Sequence, residues 1–205
     1  RFTIRDFHAE NRWLSVPEIV LHSSNIGAAK MAMDVGTKGQ QAYLDKFGLM
    51  KPAGLELPEV GSPLLPSTWR PINTMTISYG HGIAVTPLQM AAAIATVVNG
   101  GYYRPPTILK RDKPKPGGEI IHQIFSEKTS GQMRNLMRLV VSRGTGRKAN
   151  VPGYKIGGKT GTAEKQGNGG YRAKALISSF VAAFPIDAPR YVLLVLVDEP
   201  KGIKS

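Results

Sequence analysis

An ammonium, two hydroxyls and several glycines are concentrated in Gly157-Gly158-Lys159-Thr160-Gly161-Thr162-Ala163-Glu164. Read as an extended edge, this stretch projects Lys159 and Thr160 toward an anionic group, while its glycines let a ligand's backbone lie close. A lysine holds a carboxylate by charge, and a threonine adds a hydroxyl bond to it. A second polar cluster, Ser23-Ser24-Asn25, joins hydroxyls to an amide that both donates and accepts. Taken alone, Ser23 and Asn25 read as caps of the helix that follows. They acquire a chemical reading only if the fold carries them to Lys159.

Other patterns compete for the same residues. Gly153 to Thr160 satisfies the spacing G-x-x-x-x-G-K-[ST] of a phosphate-cradling loop, and Val192 to Val197 followed by Asp198 looks like the acidic strand that holds magnesium beside one. Such a loop must follow a buried strand and open a helix. Arg147 to Pro152 is polar and Gly161 to Gly170 is too rich in glycine for a stable helix, so a P-loop nucleotide hydrolase is the minor alternative. Gly144, Gly146 and Ala149 imitate a dinucleotide fingerprint, but they close a helix instead of following a strand. His81, in Tyr79-Gly80-His81-Gly82, has no carboxylate or second histidine at ligand spacing, and no metal is expected. Trp13 and Trp69 read as packing residues.

These clusters must be positioned by a chain of 205 residues, the size of one domain or a piece of one. Its 41% hydrophobic and 20% charged residues exclude collagen-like, coiled-coil and wholly disordered classes. The longest apolar run, Val192 to Val197, is far below the roughly 18 residues of a membrane helix. Without cysteine there is no disulfide, thiolate nucleophile or cysteine zinc site. The net charge of +13 lies almost wholly in the second half, where 19 Lys/Arg face 7 Asp/Glu. Aromatic residues do not interleave with these cations as a base-stacking surface requires, so nucleic acid is not an expected partner.

The elements follow from local signals. Ser15-Val16-Pro17-Glu18 has the form of a capping box and starts a short helix. Ile26, Ala29 and Met33 recur at helical spacing from Asn25 to Val35, and Gly36 supplies a stop. Gln40 to Phe47 reads as another short helix and Pro52 to Pro71 as a long loop. Thr86-Pro87-Leu88-Gln89 opens a mostly apolar helix that ends at Asn99-Gly100-Gly101. Arg104 to Ile120 reads as an exposed excursion or hairpin. Ser126 begins a helix with the stripe Met133, Leu136, Met137, Val140, Val141, closed by Gly144. Tyr154 to Thr160, Ala175 to Phe184 and Tyr191 to Val197 are strands with short, antiparallel connections. Helices first and strands later predict an α+β fold, with the last two strands apolar on both faces and therefore central and covered.

S-x-N at Ser23-Ser24-Asn25 and K-T-G at Lys159-Thr160-Gly161, in that order, are two of the three motifs of serine β-lactamases and penicillin-binding proteins. With His22 to Lys30, Tyr79 to Gly82, Val85 to Gln89, Asn99 to Gly101 and Gly144 to Gly146, the chain resembles over almost its whole length the transpeptidase domain of class B penicillin-binding proteins, the septal type above all. The resemblance implies an antiparallel sheet covered by helices, truncated at both ends, with residues 1–205 a partial domain lacking the closing C-terminal helix. It implies a D,D-transpeptidase that cross-links peptidoglycan stem peptides through an acyl-enzyme, is acylated by β-lactams, needs no cofactor, and works with division-machinery membrane proteins at the periplasmic face of the bacterial inner membrane. A non-catalytic β-lactam-sensing module on the same fold is a further alternative.

The resemblance also assigns roles. Lys159, Thr160, Gly161 and Thr162 bind substrate, with the Thr162 backbone N–H as half of an oxyanion hole. Ser23 relays a proton toward the leaving group, and Asn25 orients the substrate amide and the nucleophile's lysine. The third motif, S-x-x-K, is absent. None of the serines has lysine three residues on, so the nucleophile is expected to lie upstream, and the isolated chain is expected to be inactive.

Overall fold

The computed structural model describes residues 3–110, 122–167 and 170–201. Helix α1 (Val16–His22) starts where the Glu18 carboxylate accepts the Ser15 N–H at 2.8 Å and the Ser15 hydroxyl at 2.7 Å. It ends at Ser23. The next helix, α2 (Asn25–Lys46), is capped by Ser24, whose hydroxyl accepts the Gly27 N–H at 3.0 Å. At Gly36 the backbone leaves the helical region (φ 76°, ψ 160°) and re-enters it at once, so the expected stop is a break between two helical halves.

Helix α3 (Pro71–Ile77), which local signals leave unassigned, begins at the last residue of the expected Pro52 to Pro71 loop. Asn73 Oδ1 accepts the Arg70 N–H at 2.8 Å, which is the part usually played by Glu or Gln in a capping box. Thr74 is fully buried and accepts the Trp69 indole N–H at 3.1 Å. Trp69 is thus a packing residue with a polar tie, whereas Trp13 is not packed. It is 87% exposed, with the Lys30 ammonium 4.7 Å from its ring centre.

Helix α4 (Pro87–Val98) opens with the expected box: Thr86 Oγ1 accepts the Gln89 N–H at 3.2 Å and Gln89 Oε1 accepts the Thr86 N–H at 3.1 Å. The other end of the Gln89 amide donates to the carbonyls of Gly48 and Lys51 at 2.9 and 2.7 Å, tying the end of α2 to the start of α4. Strands β1 (Tyr102–Tyr103) and β2 (His122–Gln123) pair antiparallel and form the stem of the expected hairpin; residues 111–121 of that excursion lie outside the described residues. Helix α5 (Glu127–Arg143) is capped by Ser126 and stops at Gly144, burying Met137, Val140 and Val141.

Strands β3 (Gly157–Gly167), β4 (Gly170–Phe184) and β5 (Tyr191–Asp198) form one antiparallel sheet in the order β3-β4-β5. Val98, Met137, Ala183 and Ile186 make its core with α4 and α5, and Ile94, Val97 and Val192 pack against them. The α+β class with an antiparallel sheet and covering helices is therefore correct. The sheet strand expected from Tyr154 begins only at Gly157.

Three expectations are overturned here. Among the described residues β5 is an outer strand that pairs with β4 alone, and Tyr191, Leu193, Val195, Leu196 and Val197 are exposed; of the last two strands only β4, with Val181, Ala182 and Ala183 buried, is central and covered. The P-loop alternative fails: Gly157 to Thr160 is strand, Thr160 continues in strand to Gly167, no helix opens there, and Asp198 pairs with Lys165 at 2.9 Å. Finally, the first two glycines of β3 make room for the protein itself. A Cβ on Gly157 would lie 2.5 Å from Ile186 Cγ1, and one on Gly158 would lie 2.6 Å from the Val181 carbonyl oxygen.

Candidate active site

Among the described residues the chemistry-bearing strand β3 is paired on one side only, so alternate backbone groups of its other edge stay open to a ligand. Register sets Lys159 opposite Val181, Thr160 opposite Phe180, Gly161 opposite Ser179 and Thr162 opposite Ser178. Lys159 Nζ donates to Ser23 Oγ at 2.6 Å and to the Thr160 carbonyl at 3.0 Å. Two residues separated by 136 positions are thereby in contact.

Ser23 reaches this contact through its backbone. It closes α1 in the left-handed region (φ 57°, ψ 45°), a conformation that costs a non-glycine residue roughly 1 kcal/mol. The Ser23 and Ser24 N–H groups donate to the carbonyls of Val20 and Ile19 at 3.3 and 3.0 Å, satisfying the helix end while the chain turns. The helix cap proper is Ser24, so the Ser23 hydroxyl is not consumed by capping.

Among the described residues Asn25 makes no hydrogen bond to Lys159. Its Nδ2 donates to the Arg5 carbonyl at 2.9 Å, and its Oδ1 accepts nothing among the described residues. The Asp6 carboxylate accepts the Ser24 hydroxyl at 3.0 Å and the Ile26 N–H at 3.0 Å. Residues 5 and 6 therefore clamp the Ser23-Ser24-Asn25 turn from outside. Sequence reasoning missed Asp6, since nothing local marks a carboxylate that bonds a turn so far along the chain.

Thr160 Oγ1 lies 2.9 Å from Thr145 Oγ1. Thr162 is exposed, and its side chain makes no hydrogen bond among the described residues. Ser179 Oγ donates to the Gly161 carbonyl at 3.3 Å, and a Cβ on Gly161 would sit 2.6 Å from that hydroxyl. Glycine at 161 lets the strand pass Ser179 without displacing it.

The electrostatics centre on one cation. Lys159 is half-buried and, among the described residues, bonds only neutral oxygens, and burial pushes its pKa below the ordinary lysine value. A partly desolvated ammonium without a bonded counter-charge among the described residues attracts an anion from solvent, and Thr160 is the next residue along the strand. Among the described residues there is no group of three or more histidine, aspartate or glutamate side chains that would hold a metal.

A helix-backed antiparallel sheet with K-T-G on its outer strand, facing S-x-N at a helix end, is the architecture of the serine β-lactamase and penicillin-binding class. Residues 1–205 match the penicillin-binding protein transpeptidase domain, and the chain belongs to that family. It is 42% identical over 98% of its length to the probable peptidoglycan D,D-transpeptidase FtsI of Caulobacter vibrioides and 37% identical over 90% to the stage V sporulation protein D of Bacillus subtilis. It spans about a third of these relatives, 35% and 30% of their lengths. The apo transpeptidase domain of Burkholderia pseudomallei penicillin-binding protein 3 superposes with a TM-score of 0.84 at 37% identity, over 91% of this chain and 57% of that one. Penicillin-binding protein 3 of Mycobacterium tuberculosis, complexed with aztreonam, superposes with a TM-score of 0.82 at 30% identity, over 91% and 45%.

Proposed function

We propose that residues 1–205 are part of the transpeptidase domain of a peptidoglycan D,D-transpeptidase serving cell division, and that they carry its carboxylate-binding and proton-relay side chains. The observation that carries this reading is the 2.6 Å contact between Lys159 and Ser23 beside Thr160. A serine nucleophile, supplied by an S-x-x-K segment that these residues do not contain, attacks the D-Ala-D-Ala carbonyl of a stem peptide. The terminal D-Ala leaves as its amine takes a proton, and the amine of a second stem peptide then displaces the serine to form the cross-link.

In this reaction Lys159 and Thr160 hold the donor's terminal carboxylate, and the Thr162 N–H faces the developing oxyanion. Ser23, hydrogen-bonded to Lys159, passes a proton to the leaving amine. Asn25 offers Oδ1, the end of its amide that Arg5 leaves unbonded, to a substrate N–H or to the nucleophile's lysine. β-Lactams take the donor's place and acylate the same serine. The names of the FtsI relatives support a division role, and action at the periplasmic face of the inner membrane with division-machinery membrane proteins belongs to the same proposal. Among the described residues no helix is long and apolar enough to cross a membrane.

Fluorescent penicillin tests the proposal. The full-length parent is expected to be labelled covalently and to cross-link stem peptides, Lys159→Ala to be labelled at least tenfold more slowly, and the isolated 205 residues not at all. Labelling of the isolated chain would refute an outside nucleophile. A full-length protein that is labelled yet does not transpeptidate is a β-lactam sensor instead.

A further inference from the structure

The pair Thr145 and Thr160 has a polarity problem that one substrate solves. Each hydroxyl has a single proton, and at 2.9 Å one of them must donate to the other. If Thr160 donates to Thr145, it turns a lone pair toward any anion held by Lys159. If Thr145 donates to Thr160, the Thr160 proton is free for that anion. Among the described residues Thr145 Oγ1 makes no other hydrogen bond, so its proton has no competing protein acceptor.

The turn that carries Thr145 is built to hold it there. The N–H groups of Gly144 and Gly146, on either side, both donate to the Val140 carbonyl, at 2.9 and 3.2 Å. A Cβ on Gly144 would lie 2.7 Å from Leu21 Cδ1 and 2.9 Å from the Leu21 carbonyl oxygen. One on Gly146 would lie 3.3 Å from Phe180 Cε2, and Phe180 is the cross-strand partner of Thr160. The turn is therefore wedged between the last residues of α1, the end of α5 and the strand beside β3. Its one side chain is a hydroxyl directed at Thr160.

We propose that Thr145 is a positioning residue: it donates to Thr160 Oγ1 and so aims the Thr160 proton at the carboxylate of the donor peptide or β-lactam. This rests on the reading of Lys159 and Thr160 as the carboxylate site. Bound carboxylate completes a chain from Thr145 through Thr160 to the anion, in which each bond polarises the next. With no anion present, the pair is free to reverse.

The test is acylation of the full-length parent by benzylpenicillin and by its methyl ester, which lacks the anion. Thr145→Val is expected to lower the acylation rate constant for the acid by roughly three- to tenfold, the worth of about one hydrogen bond, and to leave that for the ester unchanged. Thr145→Ser, which keeps the hydroxyl, is expected to restore the wild-type rate. Thr160→Val is expected to lower the acid rate at least as far, and the double variant to be no slower than Thr160→Val alone. Thr145 is exposed, so these changes leave the core untouched. Equal loss for acid and ester, additive single effects, or a wild-type rate in Thr145→Val would each overturn the proposal while Thr160→Val still loses the acid selectively. Should Thr160→Val treat acid and ester alike, the carboxylate reading itself falls, and this inference with it.

Discussion

Lys159 is half-buried with its ammonium against Ser23 Oγ and the Thr160 carbonyl and, among the described residues, against no carboxylate. Desolvation of that unpaired charge lowers its pKa from the ordinary 10.5. Between the lowered value and 10.5, the folded chain binds fewer protons than the unfolded chain, so this residue's contribution to stability improves as pH rises through that window. Anion binding runs the other way. The proposed hold on a carboxylate is expected below the lowered pKa and to be lost as pH climbs through it, sooner than for an exposed lysine. Acylation of the full-length parent by benzylpenicillin is therefore expected to fall on the alkaline side. In Lys159→Arg, whose guanidinium does not titrate there, that limb is expected to flatten. Stopped-flow pH profiles of the two proteins check this, and identical alkaline limbs would remove Lys159 from carboxylate binding. Both the identity of this residue and its proposed anion-binding role are legible in the sequence; its pKa is not, because burial is a property of what surrounds it.

Helix starts were the most legible elements because caps are local. Ser15 with Glu18, Thr86 with Gln89, and Ser126 each bond within three residues, and each stands where its helix begins. Gln89 also shows where local reading ends. Its role in the box with Thr86 is written in four consecutive residues, but its amide also holds the Gly48 and Lys51 carbonyls, and it is only 2% exposed. Gln89→Leu fills the same space and leaves the Gly48 and Lys51 carbonyls without their donor, so it is expected to cost about 2 kcal/mol of unfolding free energy, measured by urea denaturation. A cost under about 0.5 kcal/mol would mean that water replaces the amide. The glycines of β3 were misread for a related reason. Small residues on an edge strand suit a close ligand or a close neighbour equally well, and only the positions of Ile186 and the Val181 carbonyl decide that Gly157 and Gly158 serve the fold.

Across the whole molecule, the sheet is covered on one face by α4 and α5, while β5 leaves Tyr191, Leu193, Val195 and Val197 exposed. Leu193, at 52% exposure in an outer apolar strand, is the kind of surface through which chains associate. The isolated 205-residue chain is expected to self-associate in sedimentation velocity, and Leu193→Lys together with Val195→Lys to shift it toward monomer. A monomer at every concentration would show that β5 is not adhesive. The apolar run from Val192 to Val197 announces a strand with two hydrophobic faces, yet it does not say which element lies on each. That depends on the order of strands in the sheet, and strand order is decided by long-range pairing.

From the sequence alone came the motif content, the helix starts, the α+β class and the absence of an S-x-x-K pair, because each depends on neighbours within a few residues or on residue type. Tertiary structure decided which hydroxyl meets the lysine. Ser23 and Ser24 are indistinguishable neighbours on paper, and Thr145 carries no site signal there; Ser24 is spent on the cap of α2, Ser23 is turned to Lys159 by its left-handed backbone, and Thr145 is delivered to Thr160 by a wedged glycine turn. Contacts of this kind join segments that share no local signal, and packing against α1, α5 and the sheet is what brings them within hydrogen-bonding distance.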